Sequence, residues 1–280
     1  MDTALEQIRD TQRASWDKFS PGWEKWDDVN MRFLGPVGGE IIRRLAPGPS
    51  DVVLDIASGT GEPGLLIAPS VQKVVISDLS EDMLAVARAK AHGRANVELV
   101  AADACALPFP DATFDAVSCR MGFMFFPSME QAAREMARVL KPGGRIAVSV
   151  WNIPERNFWV TAIMGVIHKH LSPPPPAPGA PGMFRCAADG LIADIFDKAG
   201  LIEVEQYEVS TQLDVGTAEN YWTMMTEVGA PIVAALSKAD DATHEAIHRE
   251  VVALVESKYP AHVAIDASAW VIYGERPIPS

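Results

Sequence analysis

The feature that most constrains this chain is a glycine-rich turn set between an apolar run and a helical stretch. Val52-Val53-Leu54-Asp55-Ile56 is a short apolar segment of the kind buried on both faces of a parallel sheet. Gly59-Thr60-Gly61-Glu62-Pro63-Gly64 follows as G-x-G-x-x-G, and a helix is expected from Glu62 to Pro69. Glycines at such a turn let the backbone approach a ligand, although a tight strand-to-helix turn needs glycine for steric reasons as well. Asp78 ends the next apolar run, Lys73–Ser77, where a carboxylate accepts ribose hydroxyls in dinucleotide-type sites.

The alternation then continues. Ser80 is placed to cap a helix whose first turn holds Glu81 and Asp82. Val97–Val100 and Phe114–Cys119 read as the third and fourth strands, and a helix is expected over 128–139. The turn Lys141-Pro142-Gly143-Gly144 leads to a fifth strand, Arg145–Val150. Strands separated by helices require right-handed crossovers, which gives an α/β, Rossmann-like, doubly wound and mostly parallel sheet with helices on both faces.

The flanks are less regular. Residues 2–19 have helical character ending near Ser20-Pro21-Gly22, and a short helix is expected from Pro36 to Leu45. After Trp151, residues 155–171 look helical, and Ser172–Gly182 is a proline-rich connector built around Pro173–Pro176, either a lid hinge or a long surface loop. A helix near 188–199, a strand at Val204–Val209, helices within 217–258 and a last strand at Trp270–Tyr273 complete the chain. The expected divisions are 1–46, an N-terminal helical lid; 47–151, the ligand-binding core; 152–185, a cap or substrate segment; and 186–280, the end of the core with a helical insertion.

Three carboxylates converge on the expected ligand site. Asp55 stands four residues before Gly59, where it would repel a pyrophosphate but suits an amino group. Asp103, in Ala102-Asp103-Ala104 after the third strand, suits an adenine. Here the chain resembles a known family. Val53–Gly61 looks like the first motif of class I S-adenosylmethionine-dependent methyltransferases, and Asp78-Leu79-Ser80-Glu81-Asp82-Met83-Leu84 is similar to the second. Ala102-Asp103-Ala104 through Leu107-Pro108-Phe109, Phe114-Asp115-Ala116-Val117, and Leu140–Arg145 resemble the later ones. Five motifs in order over about residues 50–150 are closest to the ubiquinone/menaquinone-biosynthesis type, methyltransferase type 11. The chain departs from it at Ala57-Ser58, where Gly-Cys or Gly-Gly is more usual.

The resemblance implies a seven-stranded sheet, S-adenosyl-L-methionine as cofactor (S-adenosyl-L-homocysteine as product) and an enzyme that methylates a small-molecule metabolite on oxygen, carbon or nitrogen. It implies that Asp55, Ala57, Ser58, Gly59, Thr60 and Gly61 hold the methionine portion and that Asp78 binds the ribose. Leu79 and Met83 would pack on the adenine, Asp103 and Ala104 would reach its amino group, and the backbone around Cys119 and Arg120 would finish the pocket. The rival readings are a nicotinamide-dependent oxidoreductase and a non-methylating protein that keeps the same cofactor.

Beyond the motifs, Trp16, Phe19, Trp23 and Trp26 are candidates for a lid over the cofactor, with Trp23 counted among the cofactor-binding residues, or fasteners of the first helix; Phe123, Phe125 and Phe126 are candidates for an acceptor pocket or for seating the next helix. His168 and His170 are the available bases in the cap, but their two-residue spacing puts them on different helix faces, and no base is assigned. His244-Glu245-Ala246-Ile247-His248 matches H-E-x-x-H but lies far from the sheet's binding edge in a helix with an apolar stripe, so it is read as coincidence and no metal is expected. With 24 Lys and Arg against 37 Asp and Glu, the formal charge is 24 − 37 = −13, the wrong sign for gripping nucleic acid. No apolar run reaches the ~20 residues of a membrane span, no secretory signal is seen, and three scattered cysteines form no disulfide or metal pattern. The expected setting is the cytoplasm; a homo-oligomer is compatible with the sequence.

Overall fold

The apolar runs form the parallel core of one seven-stranded sheet. The computed structural model describes residues 3–172, 177 and 179–279. Strands β1 (Val52–Ile56), β2 (Lys73–Asp78), β3 (Val97–Ala101), β4 (Phe114–Arg120), β5 (Leu140–Trp151), β6 (Ile202–Gly216) and β7 (Val263–Glu275) lie in the order β3-β2-β1-β4-β5-β7-β6. The first five pair in parallel, while β7 runs antiparallel between β5 and β6. The chain order reverses between β1 and β4, so the crevice outside their carboxyl ends is where an open α/β sheet binds ligands. β1 and β4 are buried almost throughout, because both faces are covered.

Helices α3 (Gly64–Ile67), α4 (Glu81–Lys90) and α5 (Met129–Val139) fill the crossovers. Ser80 and Ser128 cap α4 and α5, each hydroxyl accepting from the backbone N–H three residues on. Beyond β5 come α6 (Phe158–Leu171) and α7 (Leu191–Lys198). The insertion between β6 and β7 holds α8 (Ala218–Val228), α9 (Ala230–Leu236) and α10 (Asp241–Lys258).

Several boundaries differ from the sequence reading, each for a physical reason. The first helix, α1 (Thr3–Lys25), runs on through Pro21 instead of stopping near Ser20. Proline leaves the carbonyl of Asp17 without its helical donor, and the Ser20 hydroxyl supplies one at 3.0 Å. The next helix, α2 (Asp27–Leu45), starts nine residues before Pro36, which lies inside it. The Lys141–Gly144 turn belongs to β5: Phe114 pairs with Leu140 and Ala116 with Arg145, so the four residues between bulge out opposite Asp115. Lys141 Nζ closes on that carboxylate at 2.8 Å. β6 and β7 extend well past the expected 204–209 and 270–273, because β6 is an edge strand whose exposed face carries polar side chains that mask its pattern. Pro173–Pro176 lie outside the described residues.

Gly22 faces α8, where a Cβ would come 2.2 Å from the carbonyl oxygen of Glu227. Lys25 and the Trp26 indole both bond the Glu227 carboxylate at that contact. Gly22→Ala is therefore expected to cost ~1–3 kcal/mol by overpacking, read as a lower urea midpoint at unchanged slope. Wild-type stability in this variant would contradict the tight α1–α8 approach.

Candidate functional site

The backbone of Ala57–Gly61 turns through three left-handed residues, Ala57 (φ 52°), Gly59 (φ 55°) and Gly61 (φ 105°). Glycine accepts this conformation readily; alanine does not. Ala57 is accommodated from outside the loop. Gly122, after β4, leaves open the space where its own Cβ would stand 2.4 Å from that of Ala57. The extra methyl at 57 is thus matched by a missing one at 122.

Asp55 ties the loop down from behind. Its carboxylate accepts from the hydroxyls of Ser58 and Ser118 and from the N–H of Gly64 at 2.8 Å. It is fully buried. Burial pushes its pKa from 3.8 to about 6, against the pull of those donors and of the Arg120 charge. Asp78, at the end of β2, accepts from Gly59 N–H at 2.8 Å and Ser80 N–H at 2.9 Å. Burial raises its pKa too, opposed by these backbone donors.

Above the carboxyl ends of β1, β2 and β4 lies a cavity of ≈ 100 Å³. The glycine loop contributes Ala57, Ser58, Gly59 and Thr60, with Glu62 beside it. β2 and α4 contribute Asp78, Leu79 and Met83; the segment after β3 contributes Ala102, Asp103 and Ala104. Arg120, Met121, Gly122, Phe125 and Phe126 close the β4 side. Gln12, Trp16 and Trp23 come from α1, and Leu34 from α2. Trp16 packs edge-on against Phe125 at 5.3 Å and Trp23 at 6.0 Å.

Arg120 stands out chemically. Its side chain is buried, and it donates to the sulfur of Met31 at 3.5 Å. Burial lowers its pKa, opposed by the charges of Asp55, Glu62 and Asp27, yet among the described residues no carboxylate lies within ion-pair distance. A buried guanidinium in a cavity wall without such a partner suits an anionic group on a ligand.

Asp55, Gly61, Cys119 and Phe123 are not on this cavity's wall. Asp55 acts through the loop. Gly61 packs on Leu65, Cys119 is fully buried with its thiol pKa pushed up, and Phe123 is seated against Phe126 and Phe196. Phe19 is buried beneath α1 and Trp26 bonds Glu227, so both are fasteners, whereas Trp16 and Trp23 line the cavity. His168 and His170 lie in the last turn of α6, away from the cavity; His170 bonds Glu250 at 2.8 Å. His244 and His248 pack on Trp222, and His248 bonds Glu219 at 2.9 Å. Among the described residues, no group of three or more His, Cys, Asp and Glu could hold a metal ion.

Sequence reasoning missed Gln12, Leu34 and Glu62. For Gln12 a signal existed: Gln12, Trp16, Phe19 and Trp23 follow helical spacing, which the expected break at Pro21 cut short.

Because the folded pKa of Asp55 exceeds the unfolded value, the folded chain holds that proton longer. Its contribution to stability is complete below pH 3.8 and is lost as pH rises through about 6. Wild type should lose stability relative to Asp55→Asn across roughly pH 4 to 6.5, read from urea midpoints. A pH-independent difference would overturn this assignment.

Comparison with known proteins gives a consistent picture. Residues 54–148 match the family model described as a methyltransferase domain. A demethylmenaquinone methyltransferase of Thermus thermophilus is 48% identical over 100 residues, covering 34% of this chain and 45% of that one. A ubiquinone/menaquinone biosynthesis C-methyltransferase of Hahella chejuensis is 47% identical over 109 residues, 36% of this chain and 43% of its own length. The chain thus spans less than half the length of either relative. Among solved structures, the YcgJ protein of Bacillus subtilis superposes with a TM-score of 0.59 at 21% identity, covering 86% of this chain and 98% of that one. That likeness is one of fold.

Proposed function

We propose, from the match of residues 54–148 to the methyltransferase-domain family, that the whole chain transfers a methyl group from S-adenosylmethionine to a small-molecule acceptor. The observation that carries this reading is the charge arrangement in the cavity wall: carboxylates at Asp78 and Asp103 together with the uncommitted Arg120. The cofactor presents a ribose diol, an adenine amino group, a cationic sulfonium and an amino-acid end. Asp78 would accept from the diol, Leu79 and Met83 would pack on the adenine, and Asp103 and Ala104 would meet its edge. Arg120 would pair with the α-carboxylate, and the loop from Ala57 to Thr60 would hold the rest of the methionine.

Two features weigh against a nicotinamide dinucleotide. Glu62 lies in the wall beside the glycine loop, where a pyrophosphate would sit against a carboxylate. The helix after the loop has only four residues, so it offers little dipole to a phosphate.

When bound, the cofactor supplies a methyl carbon on a sulfonium, so an acceptor atom bonds that carbon as the carbon–sulfur pair leaves with sulfur. The protein's part is to align the reactants and exclude water. Trp16, Trp23 and Phe125 are positioned for both. Neither His168 nor His170 lines the cavity, so neither is placed to take a proton from an acceptor bound there. The net charge of −13 argues against a nucleic-acid acceptor. Three free, buried cysteines fit the reducing cytoplasm, to which we assign the protein. Among the described residues, no helix is long and apolar enough to cross a membrane.

Calorimetric titration with S-adenosylhomocysteine, with NADH in parallel, tests the cofactor: micromolar binding of the first alone is expected, and binding of NADH alone would overturn the proposal. Asp78→Ala should lose about 1.5–3 kcal/mol of S-adenosylhomocysteine affinity. Arg120→Met should lose a similar amount, about 1.5–3 kcal/mol, yet bind 5′-methylthioadenosine, which lacks the amino-acid end, as wild type does. Equal losses for both ligands would remove Arg120 from the carboxylate.

A further inference from the structure

The glycine loop and the turn after β4 hold an alanine and a glycine in the opposite places from those their backbones favour. Ala57 has φ 52°, and Gly59, two residues on, has φ 55°. The two positions ask the same of the backbone, and glycine meets it without the clash between Cβ and the carbonyl oxygen that an L residue suffers there. Gly122 has φ −92° and ψ −36°, a right-handed conformation open to residues with side chains. Its missing side chain is therefore a matter of space. A Cβ at 122 would stand 2.4 Å from that of Ala57 and 3.0 Å from the Cys119 sulfur. One methyl fits between loop and turn, and it is carried by the residue whose backbone resists it.

The local fold alone does not call for that choice. Gly59 shows what the loop does where only the backbone decides: a Cβ there would meet open space, and glycine is present all the same. Met121, on the other side of the gap, is left-handed as well, with φ 60°. Strained residues persist where the surroundings over-determine them, and they gather at ligand sites. Ala57, Met121 and Gly122 all line the cavity, beside Arg120.

Both banks of the gap are fixed. On the turn, the Met121 N–H forks to the carbonyl and the hydroxyl of Ser149, each at 3.1 Å, and the Gly122 carbonyl accepts from Phe125 N–H at 2.9 Å. On the loop, Ser58 N–H donates to the Ser77 carbonyl at 3.1 Å and Gly59 N–H to Asp78 at 2.8 Å. Between two held backbones, the side chain is what sets the width.

Resting on the methyl-transfer reading above, we propose that the Ala57 methyl is a spacer that sets the width of the cofactor slot at its methionine end, and that Gly122 is the position that admits it. Both are positioning residues. The ribose and adenine are assigned to Asp78, Leu79, Met83 and Asp103 on the β2 and β3 side, whereas the gap at Ala57 lies on the β4 side with Arg120. Glycine at 57 would leave a methyl-sized hole between fixed banks, and the ligand would lose its contacts on that side. The methyl stands on the loop because on the turn it would press against the buried Cys119 sulfur.

The test titrates wild type, Ala57→Gly, Gly122→Ala and the double variant calorimetrically with S-adenosylhomocysteine and with 5′-methylthioadenosine, which lacks the amino-acid end. Ala57→Gly should bind S-adenosylhomocysteine about fourfold more weakly, the worth of one buried methyl, and 5′-methylthioadenosine as wild type does. Its urea midpoint should be equal or higher, since relief of the left-handed alanine offsets the lost packing. A purely structural methyl would do the reverse, lowering the midpoint and leaving affinity unchanged. Gly122→Ala puts two methyls in a space for one and should lose both affinity and stability. The double variant returns a single methyl to the gap from the other bank and should bind S-adenosylhomocysteine more tightly than either single variant.

Wild-type affinity in Ala57→Gly, equal losses for both ligands, or a double variant no tighter than Ala57→Gly would each overturn the proposal. Failure of the cofactor reading looks different: there the wild-type chain itself binds neither ligand.

Discussion

The site depends on one buried carboxylate. Asp55 has no solvent exposure, yet it gathers the end of β1, the glycine loop through Ser58, the start of α3 through Gly64 and the adjacent strand through Ser118. Burying that charge is unfavourable in itself, as its raised pKa records, and only the converging donors make it tolerable. In return the loop is held from within, with its outer surface free for a ligand. Gly64 shows how closely this is packed: a Cβ there would stand 2.9 Å from the Asp55 carboxylate. The third glycine of the motif therefore serves the approach of helix to strand, while Gly59 and Gly61 serve the turn.

A second set of carboxylates fixes the roof. Asp17 on α1 accepts from the Ser80 hydroxyl at 2.6 Å, which also caps α4. Asp27 on α2 accepts from Thr60 in the glycine loop at 2.7 Å and pairs with Lys90 at 2.8 Å. At the other side Glu227 on α8 receives Lys25 and Trp26. The N-terminal helices are thus joined by polar contacts both to the turns that carry the cavity's polar groups and to the helical insertion. Partly exposed pairs of this kind contribute little stability individually. Their effect is on position, setting Gln12, Trp16 and Trp23 over the cavity.

The parallel core was legible because buried parallel strands are continuous apolar runs, and because Gly59–Gly64 and Asp78 sit at intervals that only a strand–turn–helix arrangement explains. Most of the cavity's polar wall followed from the same motifs. The roof was legible only in part: Trp16 and Trp23 were expected in a lid, whereas the unbroken first helix and Gln12 were not, and one residue accounts for much of that. Pro21 ordinarily ends a helix, but the Ser20 hydroxyl satisfies the carbonyl it orphans, so α1 continues and carries Trp23 onto the same face as Gln12 and Trp16. No local pattern announces that exchange. Arg120 was placed at the site for its backbone; that its guanidinium lacks a carboxylate partner depends on packing from α2, which sequence spacing cannot convey. Phe123 shows the opposite limit: three aromatics in four residues divide between wall and core according to the 3₁₀ turn at Phe123–Phe125.

The glycine loop also depends on where α2 begins. Asp27 and Asn30 stand three residues apart, on one side of the helix's first turns. Asp27 accepts from Thr60 in the glycine loop, and Asn30 is buried. A helix starting at Pro36 would not reach that loop. On the proposed reading, the first turn of α2 helps to fix the turn that holds the cofactor. That rigidity is what in-line transfer needs, since the reaction depends on a fixed angle between two bound molecules more than on any proton-transferring side chain.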